Sequence, residues 1–347
     1  MGQNSKIEWT DATWNPVDGC TPVLAGRKHC WARRFSRRTF GSRPFSEVRV
    51  HPERLDQPLR WRKARRVAVC LMGDLFHGTV PGEFIDQIFS VMAGVDRRFT
   101  FQILTKRAER MCDYLNTSNR WKRIIEAGES GGRRFRTDQW PLPHVYGGVS
   151  IEDQPTADAR VYILLQTNLA VRFVNYEPAL APVKLWPWLY AEHPAGSVKI
   201  EDLESPMVAR QIIREALLLG RGLEEPYPEK LRPRIDWVIA GGESGPGARP
   251  SHPDWFRAVR DQCQAAGVPF FFKQWGEWEP IQWHDGKMPL LKISVPIYPD
   301  DREALAAKEI VMRHGTADAN LRRVGKKRAG RLLDGREWNE FPRVTSL

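Results

Sequence analysis

Residues 67–77 read Val-Ala-Val-Cys-Leu-Met-Gly-Asp-Leu-Phe-His. The first six form a continuous apolar run rather than an alternating one, which is typical of a parallel strand buried on both faces. A polar group from Gly73 to His77 follows at once. The stretch therefore predicts a buried strand that carries polar side chains at its carboxyl end.

Further runs of this kind lie along the chain, separated by helical patterns. The runs are 99–104, 145–149, 171–174, 235–240 and 268–272. Helical patterns include 83–89 and 255–260. Strands that alternate with helices imply right-handed βαβ units and a parallel sheet. The sequence thus predicts an α/β fold, a partial (β/α) TIM-like barrel over residues 1–278.

Two segments depart from this alternation. Prolines surround an amphipathic stretch from Val208 to Leu219, which predicts a helical insertion at about 190–234. Residues 279–347 lack clear strand–helix repetition, so we expect an irregular C-terminal extension that packs on the barrel. Its basic cluster, 322–328, suits either a phosphate backbone or a solvated helix face.

The chain is strongly basic. Its formal net charge is +11, which favours polyanions, nucleic acid first, through counterion release and steering. The alternative is a basic surface without a partner. Several of the tryptophans, such as Trp31, lie beside arginines and would stack on bases if exposed, but burial in the core is the other reading.

The composition also limits the class of protein. Five cysteines are an odd number, which disfavours a secreted disulfide framework. No apolar run approaches the roughly 20 residues that span a membrane, and residues 1–16 lack the layout of a secretory signal. We therefore expect a cytoplasmic protein without a membrane partner.

Each predicted strand runs into a polar group at its carboxyl end. These groups are 73–77, 105–107, 150–153, 175–178, 241–244 and 273–275. Such ends face one mouth in barrel-like α/β folds, which is where active sites form. The glycine-rich segment 241–247 allows close approach of a ligand, although it fits neither the dinucleotide fingerprint nor the P-loop.

The N-terminal segment carries the most specific signal. It reads Ile7-Glu8-Trp9-Thr10-Asp11, then Thr13-Trp14-Asn15-Pro16, then Gly19-Cys20-Thr21 and, further along the same segment, Cys30. It resembles a phage-associated family of uncharacterised radical-SAM-like proteins, which carry G-C-T-x-x-S-x-G-C-x-x-C-Y-A after this opening. The resemblance continues through Asp74–His77, 104–107, 147–154, 241–244, 252–253, 272–276 and 330–336, and so covers nearly the whole chain outside the insertion.

The resemblance implies a barrel of the radical-SAM type. Three cysteines would hold a [4Fe–4S] cluster, and its fourth iron would bind S-adenosylmethionine (SAM). The cofactor would supply the radical chemistry, while the protein supplies ligands, orientation and exclusion of water. Phage relatives further suggest DNA modification, with DNA favoured as the partner and a base flipped into the mouth.

This sequence departs from the family at one cysteine. Cys20 and Cys30 match the first and third cysteines, and Arg27 stands in place of the second. Arginine has no lone pair to offer iron. Three interpretations stay open. In the first, another residue completes the site, with Cys70 as the first candidate and His29 as the second. In the second, the cluster is lost and Arg27 pairs with an anion, and in the third, Arg27 is a variant of an active parent.

The site residues follow from these patterns and the resemblance. We expect Asp74, Glu177, Glu243 and Lys273 to be catalytic; Gly242, Ser244, Ser150 and Lys106 to bind cofactor; and Cys20, Cys30 and Cys70 to bind metal. A structural ion-pair network inside the barrel is the alternative for the charged members.

The preferred hypothesis is a radical-SAM-like enzyme, or a cluster-impaired relative, acting on a nucleic-acid base or nucleotide. One alternative is a non-enzymatic nucleic-acid-binding protein, whose affinity would fall steeply with salt and not depend on SAM. The other is a hydrolase or lyase built on the carboxylates alone, with less support because no motif such as H-E-x-x-H occurs.

Overall fold

A computed structural model describes most of the chain. The described residues are 5–23, 30–189, 234–281, 294–295, 308–315 and 317–343. The predicted insertion at about 190–234 lies outside them except for its last residue, and so do Arg27 and His29. Within the described part, no helix is both long and apolar enough to cross a bilayer.

The central element is a parallel sheet of seven strands, curled into a half-barrel and flanked by helices. Its strands follow one another in chain order: β1 (Ala12–Trp14), β4 (Arg66–Val69), β5 (Thr100–Thr105), β6 (Val145–Ile151), β7 (Val171–Tyr176), β8 (Trp237–Gly241) and β9 (Phe270–Gln274). A separate antiparallel pair, β2 (Val17–Asp18) and β3 (Arg49–Val50), joins the loops that follow β1.

The described helices lie mostly in the connections between these strands. They are α1 (Trp31–Thr39), α2 (Gly82–Gly94), α3 (Ala108–Asn116), α4 (Arg120–Ser130), α5 (Gln154–Gln166), α6 (Trp186–Leu189), α7 (Pro253–Ala265) and α8 (Lys326–Ala329), with 3₁₀ turns at Pro52–Arg54 and Pro58–Arg60. The prediction of a partial barrel is thus confirmed at the level of a half-barrel, and all six predicted runs overlap β4 to β9.

The concave face of the sheet is closed at one end by aromatic side chains. Trp9, Tyr146, Phe173, Trp237 and Phe271 form a fully buried cluster there. The Trp237 ring centroid lies 5.7 Å from that of Phe173 and 6.4 Å from that of Trp9. Edge and tilted contacts at these distances are the favourable geometry for aromatic pairs. This aromatic plug closes the amino-terminal end of the half-barrel.

Strand alternation places polar side chains above this plug. Successive side chains point to opposite faces. On the inward face, Ser150 therefore lies two side chains beyond Tyr146. Asn175 and Lys273 each lie one side chain beyond an aromatic residue, Phe173 and Phe271 respectively. The opposite face of the sheet packs on the helices and forms the main apolar core. The half-barrel therefore has a dry end and a polar end, and the polar end carries the carboxyl termini of the strands.

The C-terminal extension is not irregular throughout, which corrects the expectation from sequence. Its described residues form a four-stranded sheet in the order β10 (Trp278–Pro280), β13 (Ala317–Arg323), β12 (Glu309–His314) and β11 (Ser294–Val295). Strand β10 pairs antiparallel with β13. The predicted boundary at residue 278 thus falls inside a strand that belongs to this second sheet.

The end of the extension covers the free edge of the half-barrel. Phe272 donates its backbone N–H to the Trp338 carbonyl at 2.9 Å, and Phe271 bridges to Asn339. The ring of Phe341 lies 5.2 Å from that of Trp237, against the aromatic plug. Residues 338–341 of the extension therefore contact strand β9 and the aromatic plug of the half-barrel.

Candidate functional site

A cavity of about 700 Å³ opens at the carboxyl ends of the strands. This volume lies within the range of small-molecule sites. Most of the predicted site residues line it: Cys20, Cys30, Asp74, Lys106, Ser150, Glu177, Gly242, Glu243 and Ser244. Lys273 reaches the cavity through its partner Glu177, whereas Cys70 lies elsewhere. The structure therefore brings strand ends that are far apart in sequence into one site.

Asp74 is buried and held from several sides. Its Oδ1 accepts from the Thr105 hydroxyl at 2.7 Å and from the Phe76 backbone N–H at 3.0 Å, and its Oδ2 accepts from Arg107 Nη1 at 2.8 Å. Arg107 also donates to the sulfur of Cys20 at 3.5 Å. Asp74 thus fixes the guanidinium that faces the first cysteine.

Two ion pairs line the cavity with partial access to solvent. Lys273 Nζ lies 2.7 and 2.9 Å from the two oxygens of Glu177, and Lys106 pairs with Glu152. These four side chains are 14–18% exposed. Since water or a ligand can reach them, each of these charged side chains can exchange its present partner for a ligand group of the opposite charge.

Glu243 has a different environment. Arg249 donates to both of its carboxylate oxygens, with Nε to Oε2 and Nη2 to Oε1 both at 2.9 Å. The Arg249 backbone N–H adds a third bond at 2.8 Å, and the two side chains are only 7% and 9% exposed. Both oxygens are therefore occupied, and the pair holds the glycine-rich loop closed on itself. Nothing in the sequence pattern marked Arg249 as this partner.

Asn175 brings a buried acceptor to the cavity. Its side chain lines the cavity and the residue is 5% exposed. Its Oδ1 has no hydrogen-bond partner among the described residues. A buried polar oxygen without a partner costs free energy. The site therefore offers an acceptor that a ligand N–H or O–H can satisfy.

The structure brings two of the three predicted thiols to the cavity. Cys20 and Cys30 both line it. Cys70 instead follows the end of β4 with a positive φ of 57°, which breaks strand alternation, so its thiol packs in the core between sheet and helices. Burial raises the pKa of this thiol. Within the described residues, no group of three or more His, Cys, Asp or Glu side chains is placed to hold a metal ion.

His77 belongs to the same network, although the sequence assigned it no role. Its Nδ1 accepts from the Thr79 backbone N–H at 3.2 Å, so Nε2 carries the proton and donates to the Thr21 hydroxyl at 2.8 Å. The Thr21 carbonyl accepts from Arg107 at 3.0 Å. The segment after Cys20 is thus tied to two side chains from separate strand ends, His77 and Arg107.

Three buried histidines predict a loss of stability on acidification. Burial lowers the pKa of His77, His144 and His252. Each therefore binds its proton more readily when unfolded, and its contribution to the free energy of unfolding is present above the unfolded pKa of about 6.5. We expect this contribution to fall as the pH drops from about 7 through the folded pKa values, measured by urea unfolding across pH.

A single substitution isolates one of these histidines. His252 caps α7 by accepting from the Asp254 backbone N–H at 3.2 Å. Asparagine is also a good N-cap residue, so His252→Asn keeps the acceptor and removes the titration. The variant should show a flatter dependence of stability on pH between 5 and 7. An unchanged slope would rule out His252 as a contributor.

Together the curled parallel sheet and its polar mouth define an α/β half-barrel protein with a ligand cavity at the carboxyl ends of its strands. Residues 4–342 match the family described as protein of unknown function, DUF5131, and the chain belongs to that family. No curated protein and no solved structure matches the chain.

Proposed function

We propose that the protein is a relative of the radical-SAM enzymes, impaired in its cluster site, that binds SAM in the cavity and acts on a nucleic-acid base or nucleotide. The observation that carries the proposal is the meeting of Cys20 and Cys30 with the ionic pairs of the strand ends around one cavity. At this mouth the two cysteines lie beside any ligand in the cavity, whereas Cys70 packs in the core.

The cluster itself does not fit the described residues. A [4Fe–4S] cluster is held by thiolates, and the cavity receives two of them, Cys20 and Cys30. The second of the family's three cysteine positions holds Arg27, which cannot ligate iron. The thiol of Cys70 lies in the core with a raised pKa. For this reason no step of the proposed function is assigned to a cluster.

SAM suits the charges of the cavity. Its methionine part carries an ammonium and a carboxylate, and the Lys273–Glu177 pair presents one group of each complementary sign. The ligand can exchange with this pair without leaving a charge unpaired, which avoids the large cost of an isolated buried charge. Asn175 and Ser150, paired across neighbouring strands β7 and β6, offer polar groups to the rest of the ligand.

The nucleic-acid part rests on charge. The net charge of +11 favours a polyanionic partner. A base that enters the cavity would have to leave its stack, at a cost of a few kcal/mol in a duplex. A single strand or a free nucleotide avoids most of this cost.

Arg27→Cys is the test of the cluster site. After anaerobic reconstitution with iron and sulfide, we expect weak visible absorbance and little bound iron in the wild-type protein. We expect clearly more of both in Arg27→Cys, because the third thiolate is restored. Arg62→Cys, which adds a thiol in another part of the chain, is the matched control.

The outcomes separate the alternatives. Absence of cluster absorbance in both proteins would count against the radical-SAM relationship, and a full cluster in the wild type would contradict impairment. SAM binding is measured separately by calorimetric titration. Salt-sensitive binding to nucleic acid without any binding of SAM would favour the non-enzymatic alternative.

A further inference from the structure

Helix α1 combines features that the cavity does not explain. It follows Cys30 directly and buries only Ala32 and Ser36. Its Trp31 and Phe35 are 46% and 47% exposed, and they are the two exposed aromatic side chains among the described residues. A contiguous exposed apolar patch that is rimmed by polar residues is a feature of interaction sites.

The two rings lie along one flank of the helix. Residues four apart are neighbours on a helix surface, so Phe35 lies one turn, about 6 Å, beyond Trp31. Trp31 also lines the cavity, whereas Phe35 does not. The pair therefore runs from the outer surface to the mouth of the cavity.

The stretch of sequence that contains these rings carries charge of one sign. Residues 19–46 contain seven Lys or Arg residues and no Asp or Glu. Arg33, Arg37 and Arg38 on α1 are exposed, and no ion pair joins them to any other described residue. Such a surface is complementary to a polyanion. It is not complementary to a neutral partner or to one with few acidic groups.

The helix is held firmly in this position. Arg34 Nη1 donates to the Pro246 carbonyl at 3.2 Å, and its other amino group donates to the Ser244 carbonyl. A side chain at Gly245 would collide with this guanidinium, since an added Cβ would come within 2.2 Å of it. The contact fixes α1 against the glycine-rich loop at the edge of the cavity.

We infer that α1 is a docking platform for single-stranded nucleic acid, on which bases stack on Phe35 and Trp31 while the arginines contact phosphates. Aromatic rings interleaved with cations are the arrangement that binds single strands, and bases in a duplex cannot stack in this way. The inference rests on the proposed function in one respect: the strand on the platform leads its next base into the cavity.

Binding of a fluorescent oligothymidylate of about 12 nucleotides, within the range of single-strand site sizes, tests the platform by anisotropy. For Trp31→Ala with Phe35→Ala we expect Kd to rise about tenfold or more at unchanged salt dependence, because stacking is lost. For Arg37→Ala with Arg38→Ala we expect the slope of log Kd against log salt to fall by about 0.7 for each arginine.

Two matched variants control for general effects. Lys327→Ala with Arg328→Ala removes two exposed cations of the tail, and Leu332→Ala removes an exposed apolar side chain far along the chain. Both should bind the strand nearly as the wild type does. Three outcomes would overturn the platform. The tail and α1 variants could lose affinity for the strand equally, or the aromatic variant could bind it as the wild type does. The third is tighter binding of a duplex than of the single strand.

A SAM titration separates this inference from the proposed function. Phe35→Ala should bind SAM as the wild type does, because Phe35 does not line the cavity. A wild-type protein that binds SAM but not the oligonucleotide would overturn the platform and leave the SAM site standing. If the protein binds the oligonucleotide through α1 but does not bind SAM, the platform stands and the proposed SAM site is overturned.

Discussion

Glu243→Ala is expected to lower the free energy of unfolding by about 3–5 kcal/mol. The substitution leaves the guanidinium of Arg249, 9% exposed, without its two carboxylate bonds. A buried charge that loses its partner keeps the full cost of desolvation. Urea unfolding with linear extrapolation measures the loss.

An exposed ion pair provides the control for this prediction. Arg313 and Asp318 make a similar contact at 2.9 Å but are 64% and 44% exposed. Asp318→Ala should therefore change the free energy of unfolding far less than Glu243→Ala does, because solvent screens the exposed pair. The double variant Glu243→Leu with Arg249→Met removes both charges and should recover much of the loss. If Glu243→Ala were as mild as Asp318→Ala, the carboxylate would be free for catalysis and not structural.

Asn175→Leu is expected to have effects of opposite sign on stability and on binding. The unpaired Oδ1 of Asn175 costs free energy in the folded protein, so a similar apolar side chain should leave stability unchanged or increase it. The same oxygen is the acceptor we assign to the ligand, and its loss should weaken SAM binding by about 1–3 kcal/mol. Unfolding and calorimetric titration measure the two effects.

Asn320 offers the same chemistry outside the cavity. Its Oδ1 is also buried without a described partner, but the residue lies on β13 of the C-terminal sheet. Asn320→Leu should leave SAM affinity unchanged. Equal weakening by both substitutions would show that the effect on binding is indirect, and no weakening by Asn175→Leu would remove Asn175 from the site.

The sequence predicted the half-barrel well because its strands are apolar on both faces. Six runs stand out from 67 to 272 for this reason. Strand β1 did not stand out, since Ala12–Trp14 is three residues long and is recognised only by its pairing with Val67 to Val69. The C-terminal sheet was missed because β12 and β13 mix a few buried residues with partly exposed polar ones, and these polar residues hide the strand pattern.

The site was predictable in its location and less so in its contacts. Strand ends collect at one edge by topology alone, which is why Asp74, Lys106 and Glu177 could be grouped in advance. Partners depend on loop geometry that no spacing encodes, as Arg249 shows. Cys70 was expected beside Cys20 and Cys30, but a positive φ turns the chain there and its thiol packs in the core.

The covering of the β9 edge by residues 338–340 has a consequence for how the protein is made. These residues follow every strand of the half-barrel in the chain, so a ribosome completes the sheet before it supplies the cover. Until then the edge presents free backbone groups, which are a template for pairing with another copy. A chain cut or stalled just before Trp338 would therefore yield intermolecular assemblies rather than a shorter working protein.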